Sequence, residues 1–349
     1  MPSDWSNRGI GSTRMSRVLI TGGAGFIGSH LVGACLAAGD EVHVIARKET
    51  GGERLRQYGD AFVLHSFDLV SELDLKRCIA EVEPERIFHL AARPRRKPDA
   101  DLGDVKDGFR EQFQALLGLL AAAAQARRPP RIVIRTGSLA EYGVAPAPYL
   151  EDGREQPVNA YGAELTAAAH LVAGLQSRMP FPVVTARLAL VYGAWQSTEY
   201  FLPWLIRQCL AGKPSLVRHP EDRRDLLYVD DVVEGLVRLS MAPFPVPPLI
   251  NIATGIAPPM RDLARLVLKL TGADPRLITY DESGQSSGIP DFRASPELAR
   301  KTLNWVASTP FEEGLVGTVD WYRARARSEE TGEPAASPTS AKRETTEVR

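Results

Sequence analysis

The first residues whose types and spacing imply chemistry are Thr21-Gly22-Gly23-Ala24-Gly25-Phe26-Ile27-Gly28. They follow the apolar run Val18-Leu19-Ile20 and open an apolar-periodic stretch through Leu31 and Leu36. Strand, glycine turn and helix in that order form a cradle for the pyrophosphate of a dinucleotide. Gly22 lets the chain turn sharply, Gly25 lets backbone approach the anion, and Gly28 lets the helix pack close to the sheet. The first N–H groups of the helix then face the phosphates with a partial positive charge. The alternative is a glycine-rich turn that binds nothing.

The second strand, Glu41 to Arg47, bears on which dinucleotide this is. A carboxylate at its end would hold the adenosine ribose of NAD(H). Here Val42-His43-Val44-Ile45-Ala46 runs instead into Arg47 and Lys48, two cations suited to a 2′-phosphate. NADP(H) is therefore favoured over NAD(H), unless the pair is only a solvated turn. Asp68, after the third strand, is placed to accept from the adenine amino group or to cap the next helix.

These residues need a scaffold. Strand patterns fall at 17–21, 41–47, 61–67, 86–91, 131–137 and 182–189, and helix patterns at 26–38, 71–81, 105–126 and 159–178. The alternation implies an α/β protein with a Rossmann doubly wound parallel sheet, its ligands along the rim at the strands' C-terminal ends. After residue 190 the rhythm changes. Short helices at 198–211, 230–241, 259–271, 296–303 and 311–325 alternate with proline-rich loops and short strands such as Leu249-Ile250-Asn251-Ile252. That reads as a smaller mixed C-terminal lobe facing the rim, with substrate bound between the lobes. The expected organisation is a disordered leader over 1–15, the dinucleotide-binding domain over 16–190, an interleaved substrate lobe over 191–327 and a disordered tail over 328–349.

Composition excludes several classes. The formal net charge of −1 over 349 residues gives no field to recruit nucleic acid or a membrane surface. No apolar stretch is long enough to span a bilayer, and the N-terminus lacks a signal-peptide core. Cys35, Cys78 and Cys209 are scattered without metal spacing, so no metal is expected and a reducing cytoplasm fits best.

Five motifs now stand in order: Gly22-x-x-Gly25-x-x-Gly28, His89-Leu90-Ala91-Ala92, Ser138-x-x-x-Tyr142-Gly143, Tyr161-Gly162, and Arg224-Asp225-x-x-Tyr228-Val229-Asp230-Asp231. Over about residues 16–325 the chain resembles the extended short-chain dehydrogenase/reductases, and within them the nucleotide-sugar epimerase, dehydratase and reductase group. The resemblance implies that Ser138 hydrogen-bonds the reacting sugar oxygen and that Tyr161 exchanges a proton with it. Arg224 would grip the nucleotide diphosphate of the substrate. Phe26, Ile27, Leu69, Leu90, Ala91, Ala92 and Tyr161 would complete the cofactor contacts. Asp230 and Asp231 read as an acidic first helical turn, structural rather than catalytic. Trp195, Tyr200, Phe201 and Trp204 read as core or as a stacking surface. The basic loop Arg93–Lys97 faces a substrate phosphate or water. A homodimer is expected, as in the family.

The chain departs from the family pattern at one decisive place. Four residues after the reactive tyrosine the family has a lysine that holds the nicotinamide ribose and lowers the tyrosine pKa; here stands Leu165. None of the nine tyrosines is followed by Lys at that spacing. The family often has Asn where Gln112 and Leu190 stand, so the sugar pocket is expected to be more apolar. An unperturbed tyrosine titrates near ~10, leaving about one in a thousand ionised at pH 7. A sugar-oxidising enzyme needs that phenolate as a base, whereas a ketone reductase needs the neutral phenol as an acid. The first reading is therefore NADPH-dependent reduction of a nucleoside-diphosphate 4-keto-6-deoxy sugar. The alternatives are an epimerase or dehydratase with tightly bound NAD(P), or a catalytically impaired cofactor-binding member of the family.

Overall fold

The computed structural model describes residues 5, 15–47, 52–92 and 96–331. Its centre is a parallel sheet built from β1 (Arg17–Thr21), β2 (Glu41–Ala46), β3 (Val63–Ser66), β4 (Arg86–His89), β5 (Ile132–Ser138) and β6 (Val183–Leu188). Apolar residues alternate between its faces. Val18, Ile20, Val44, Phe88, Ile134 and Val184 join one core, and Leu19, Ile45, Ile87, Val133 and Val183 the other. Such strands, buried on both sides, belong to parallel sheets covered by helices. On one face lies α1 (Phe26–Ala37). On the other lie α3 (Glu72–Val82), α5 (Ala115–Ala124) and α6 (Ala160–Leu175), after the short α2 (Gly52–Leu55) and α4 (Gly103–Phe109).

The expected 105–126 helix is interrupted. A π-helical turn, Arg110–Gln114, separates α4 from α5 and buries Gln112. Such turns concentrate at functional sites. Asn159 caps α6 by accepting from the Gly162 N–H at 2.9 Å, which fixes where that helix begins and hence where Tyr161 stands.

Beyond residue 190 come β7 (Leu190–Tyr192), α7 (Phe201–Leu210), β8 (Ser215–Val217), β9 (Arg223–Arg224), β10 (Leu226–Tyr228), α8 (Val229–Met241), β11 (Leu249–Ile252), α9 (Met260–Thr271), β12 (Ile278–Tyr280), β13 (Asp291–Phe292), α10 (Glu297–Leu303) and α11 (Phe311–Thr331). β11 was expected in the small lobe; instead it pairs with β6 and completes a seven-stranded sheet of order β11-β6-β5-β4-β1-β2-β3. Ile250 and Ile252 are wholly buried there, in the core they share with α1 and α8. α8 returns with it to pack on α1, while α7, α9 and α11 share a separate core. Helix α11 also runs past the expected boundary at 328, where Glu329 lies 2.9 Å from Arg207 and 3.4 Å from Arg325. Of the expected leader, Trp5 is buried in the main core; residues 1–4, 6–14 and 332–349 lie outside the described residues. No helix among the described residues is long and apolar enough to cross a membrane.

The sheet order reverses beside β1, which lies between β2 and β4, and the glycine turn stands at that switch point. Gly22 adopts φ +72°, and a Cβ there would stand 2.7 Å from the Ala91 nitrogen. A Cβ on Gly28 would stand 2.2 Å from the Gly22 oxygen, so the helix start is seated directly on the turn. Gly28→Ala is expected to destabilise by about 1–3 kcal/mol through overpacking, read from the urea midpoint.

His89 ends β4, buried, with Nδ1 2.8 Å from the Thr21 hydroxyl. Burial, reinforced by the Arg135 charge, pushes its imidazole down to about 3. The unfolded chain takes up that proton below about 6.5, so His89 favours folding fully above that pH and the contribution drains as pH falls towards 3. Stability is expected to drop by roughly 2 kcal/mol between about pH 7 and pH 5 from this residue alone. His89→Gln flattens that slope in urea titrations across the same window.

Candidate functional site

At the switch point opens a cavity of about 700 Å³. Of the expected cofactor residues it is lined by Gly22, Gly25, Arg47, Asp68, Leu69, Leu90, Ala91 and Ala92. Gly28 lies behind the turn, and Phe26, Ile27 and Tyr161 are not part of the lining; Lys48 lies outside the described residues. The cavity fits a dinucleotide in three respects. Its glycines leave no room for side chains at the turn. Arg54, Arg110 and Arg47 bring cations to its wall. The Nε of Arg54 is buried with no partner among the described residues.

Arg54 was not anticipated, because nothing in a four-residue helix announces a ligand. It donates to the Ala24 carbonyl at 3.4 Å and to the Trp195 carbonyl at 3.2 Å, so it ties the glycine turn to the second lobe. Asp68 does not cap α3, whose flanking residue is Ser71; it accepts from the Val70 N–H at 3.2 Å and lines the cavity, 4.0 Å from Arg110. Arg47 stands 3.9 Å from Glu111, which is also 3.9 Å from Arg96.

The basic loop resolves unevenly. Arg93 and Arg95 lie outside the described residues, but Arg96 turns inward and pairs with Glu164. Gly108 makes room for that pair, since a Cβ there would stand 2.2 Å from each partner.

Ser138 ends β5 and starts a tight turn. Its Oγ accepts from the Ala140 N–H at 3.1 Å, and its own N–H donates to Glu141 Oε1 at 2.9 Å. With that lone pair engaged, the hydroxyl still has a proton to donate. Glu141 Oε2 accepts from Arg187 Nε at 2.8 Å, and both side chains are fully buried. Tyr142, part of the motif, is structural: its hydroxyl donates to Asn251 Oδ1 at 2.9 Å and its ring stacks on Tyr149.

Tyr161 occupies the first turn of α6. Burial raises its phenol above the ordinary tyrosine value, Tyr200 and the Glu141 carboxylate push the same way, and the Arg135 and Arg96 charges oppose them. Leu165, one turn later, is buried and offers no charge.

Arg224 is held by its neighbours. It donates to Asp222 Oδ2 at 2.8 Å, to Ser287 Oγ at 2.8 Å and to the Ile289 carbonyl at 2.9 Å. It lines a second cavity of about 350 Å³ with Arg218, His219, Phe201 and Trp204. The two aromatics had been noted in sequence; Arg218 and His219 had not. Asp230 and Asp231 are structural, as expected: Asp230 lies 3.5 Å from His30, and Asp231 accepts from the Thr309 N–H and hydroxyl. No group of three or more candidate ligands for a metal ion occurs among the described residues.

Known proteins resemble this arrangement throughout. The model of the NAD dependent epimerase/dehydratase family matches residues 18–253. The UDP-glucose 4-epimerase of Mycolicibacterium smegmatis is 29% identical over 89% of this chain and 100% of its own length. The dTDP-D-glucose 4,6-dehydratase of Mus musculus is 26% identical over 92% of this chain and 93% of its own. Among solved structures, MoeE5 in complex with UDP-glucuronic acid and NAD is 29% identical, covering 88% of this chain and 99% of that one with a TM-score of 0.76. The Thermus thermophilus UDP-glucose 4-epimerase with NAD is 26% identical, with the same coverage and a TM-score of 0.74. Fold, glycine cradle and motif order thus converge with these likenesses, and the chain belongs to the NAD-dependent epimerase/dehydratase family, enzymes of the extended short-chain dehydrogenase/reductase type.

Proposed function

We propose that the protein reduces the ketone of a nucleoside-diphosphate 4-keto-6-deoxy sugar, with NADPH as reductant. The observation that carries this reading is the state of Tyr161. Burial raises its phenol above the ordinary tyrosine value against the opposing Arg135 and Arg96 charges, and Leu165 adds no ammonium to them. A neutral phenol is an acid, suited to giving a proton to a ketone oxygen and unsuited to drawing one from a sugar hydroxyl.

The remaining groups fit that direction. The Ser138 hydroxyl orients the carbonyl oxygen, and Tyr161 donates the proton that oxygen needs. The nicotinamide, when bound, supplies the hydride to the carbonyl carbon. Arg224, fixed by Asp222 and Ser287, presents a preset guanidinium to the substrate diphosphate, with Phe201 and Trp204 beside it for the base. Arg47 at the cavity wall, with no carboxylate ending β2, supports a 2′-phosphate and so NADP(H) over NAD(H). Phe109 and Leu117 lie exposed along α4 and α5 and support a homodimer through these helices. The three cysteines are buried free thiols, in keeping with a cytoplasmic protein.

A second reading has its own support, since the relatives named above are an epimerase and a dehydratase and both solved neighbours hold NAD. It requires bound cofactor that is recycled, with turnover in the absence of added reductant.

Incubation with NADPH and a panel of UDP-, dTDP- and CDP-4-keto-6-deoxyglucose is expected to consume NADPH in step with one keto sugar. Tyr161→Phe lowers kcat by about 10²–10⁴-fold. Turnover of a sugar nucleotide with no NADPH loss would replace the reductive reading by the second one. Arg47→Ala is expected to weaken NADPH binding about tenfold and leave NADH binding unchanged, by titration calorimetry.

A further inference from the structure

The charged groups that act on Tyr161 include one that neither the family motifs nor the mechanism above employs. Arg135 lies in the middle of β5, 1% exposed. Strand alternation sends it the same way as Val133, towards the layer that holds α6. There its Nη2 donates to the Leu165 carbonyl at 3.4 Å. Its Nη1 donates to the hydroxyl of Thr185, its register partner on β6, at 3.2 Å. Among the described residues no carboxylate forms an ion pair with it.

Burying a guanidinium without a paired carboxylate is costly, and Val or Phe would fill a strand position of this kind at no such cost. Thr185 and a helix carbonyl satisfy part of its hydrogen bonding, and the Glu141 carboxylate supports its charge without forming an ion pair with it. The Tyr161 phenol also lies within its field. Leu165 stands where the family has a cation, one helical turn from Tyr161, and the Leu165 carbonyl is the group that anchors Arg135.

We propose that Arg135 is a positioning residue for proton transfer: fixed under α6 by the Leu165 carbonyl and the Thr185 hydroxyl, its guanidinium gives the Tyr161 phenol the neighbouring positive charge that Leu165 lacks. This rests on the reading that Tyr161 hands over the proton. In that step the Tyr161 O–H bond breaks, its proton forms the new O–H bond on the carbonyl oxygen, and hydride from NADPH adds to the carbonyl carbon. The phenolate left behind is the charge Arg135 meets, until water returns the proton. The charged and titratable groups facing Tyr161 are Arg135 from β5, Glu141 from the turn after β5, Arg96 from the loop after β4, and Tyr200 before α7. Arg96 is already paired with Glu164, and Glu141 with Arg187, which leaves Arg135 as the cation whose charge no local ion pair absorbs.

The test needs neither substrate nor cofactor. Full-length protein carries 3,5-difluorotyrosine at position 161, whose more acidic phenol brings the titration into range, and its ¹⁹F resonance is followed against pH. Arg135→Gln is expected to raise the midpoint by about one unit or more, a tenfold change in the ionisation constant. Arg135→Lys restores most of it, and Leu165→Lys added to Arg135→Gln lowers it again. An unchanged midpoint in folded Arg135→Gln protein, checked by circular dichroism, overturns the proposal. Should that variant not fold, Arg135→Lys with and without Leu165→Lys decides: a second cation that leaves the midpoint where it was overturns it as well. A failed NADPH assay touches only the substrate assignment, since the titration reads the phenol directly.

Discussion

Glu141 accepts from the Ser138 amide with one oxygen and from Arg187 with the other, at full burial, and the C-terminal ends of β5 and β6 hang on that pair of hydrogen bonds. A carboxylate so placed is tolerable only while both oxygens are served; removing one partner of a buried pair costs about 3–5 kcal/mol. Gly137 makes the arrangement possible, since a Cβ there would stand 2.2 Å from Glu141 Oε1. Arg187 carries the link across to Glu155 at 2.6 Å. Burial pushes the Glu155 carboxyl up, but the bonds from Arg187 outweigh it and hold the group below the usual carboxylate range. The ends of β5 and β6 are thereby locked together, and Ser138 is aimed by a turn that cannot relax without stranding a charge.

The same carboxylate acts on the chemistry next door. Glu141 faces Tyr161 and, with burial and Tyr200, raises the phenol's hold on its proton. It also faces Arg135 and supports that guanidinium against its own burial. An acid catalyst needs both effects. It must keep its proton at rest and must have a cation near the charge that remains once the proton has gone. On the proposed reading, Glu141 serves both needs from its place beside Arg135 and Tyr161, while Arg187 joins it to Glu155.

The glycine turn and the strand run through β6 were legible because their signals are local: period-two burial and turn chemistry act within a few positions. What escaped was set by distance. Arg135 and Arg187 interrupt Ile-Val-Ile and Val-Thr-Ala runs, and a charge inside a doubly buried parallel strand is an anomaly that the sequence displays openly. Their partners lie elsewhere in the chain, at Leu165, Thr185, Glu141 and Glu155, so the anomaly could be seen but not explained. The loop Arg93–Lys97 presents the converse case. A run of like charges does not say which member turns inward, and only the seat beside Gly108 selects Arg96. The place of Leu249–Ile252 was missed because four apolar residues read alike in a small lobe and at a sheet edge; pairing with β6 decides it.

A cation on the strand differs from one on the helix chiefly in what it can still reach. An ammonium at position 165 would lie one turn from Tyr161 on the same helix face. It could bias the phenol and bond a cofactor sugar together. Arg135 spends its outer nitrogens on Leu165 and Thr185, so its charge acts on the phenol through space and it donates nothing to the sugar. On the proposed reading, the site keeps the electrostatic half of that work and gives up the hydrogen-bonding half. Giving a proton to a ketone needs the first. Taking one from a sugar hydroxyl, and holding a cofactor through repeated cycles, needs both. The direction of the reaction and the location of the charge are then two consequences of one exchange, a leucine on the helix against an arginine on the strand.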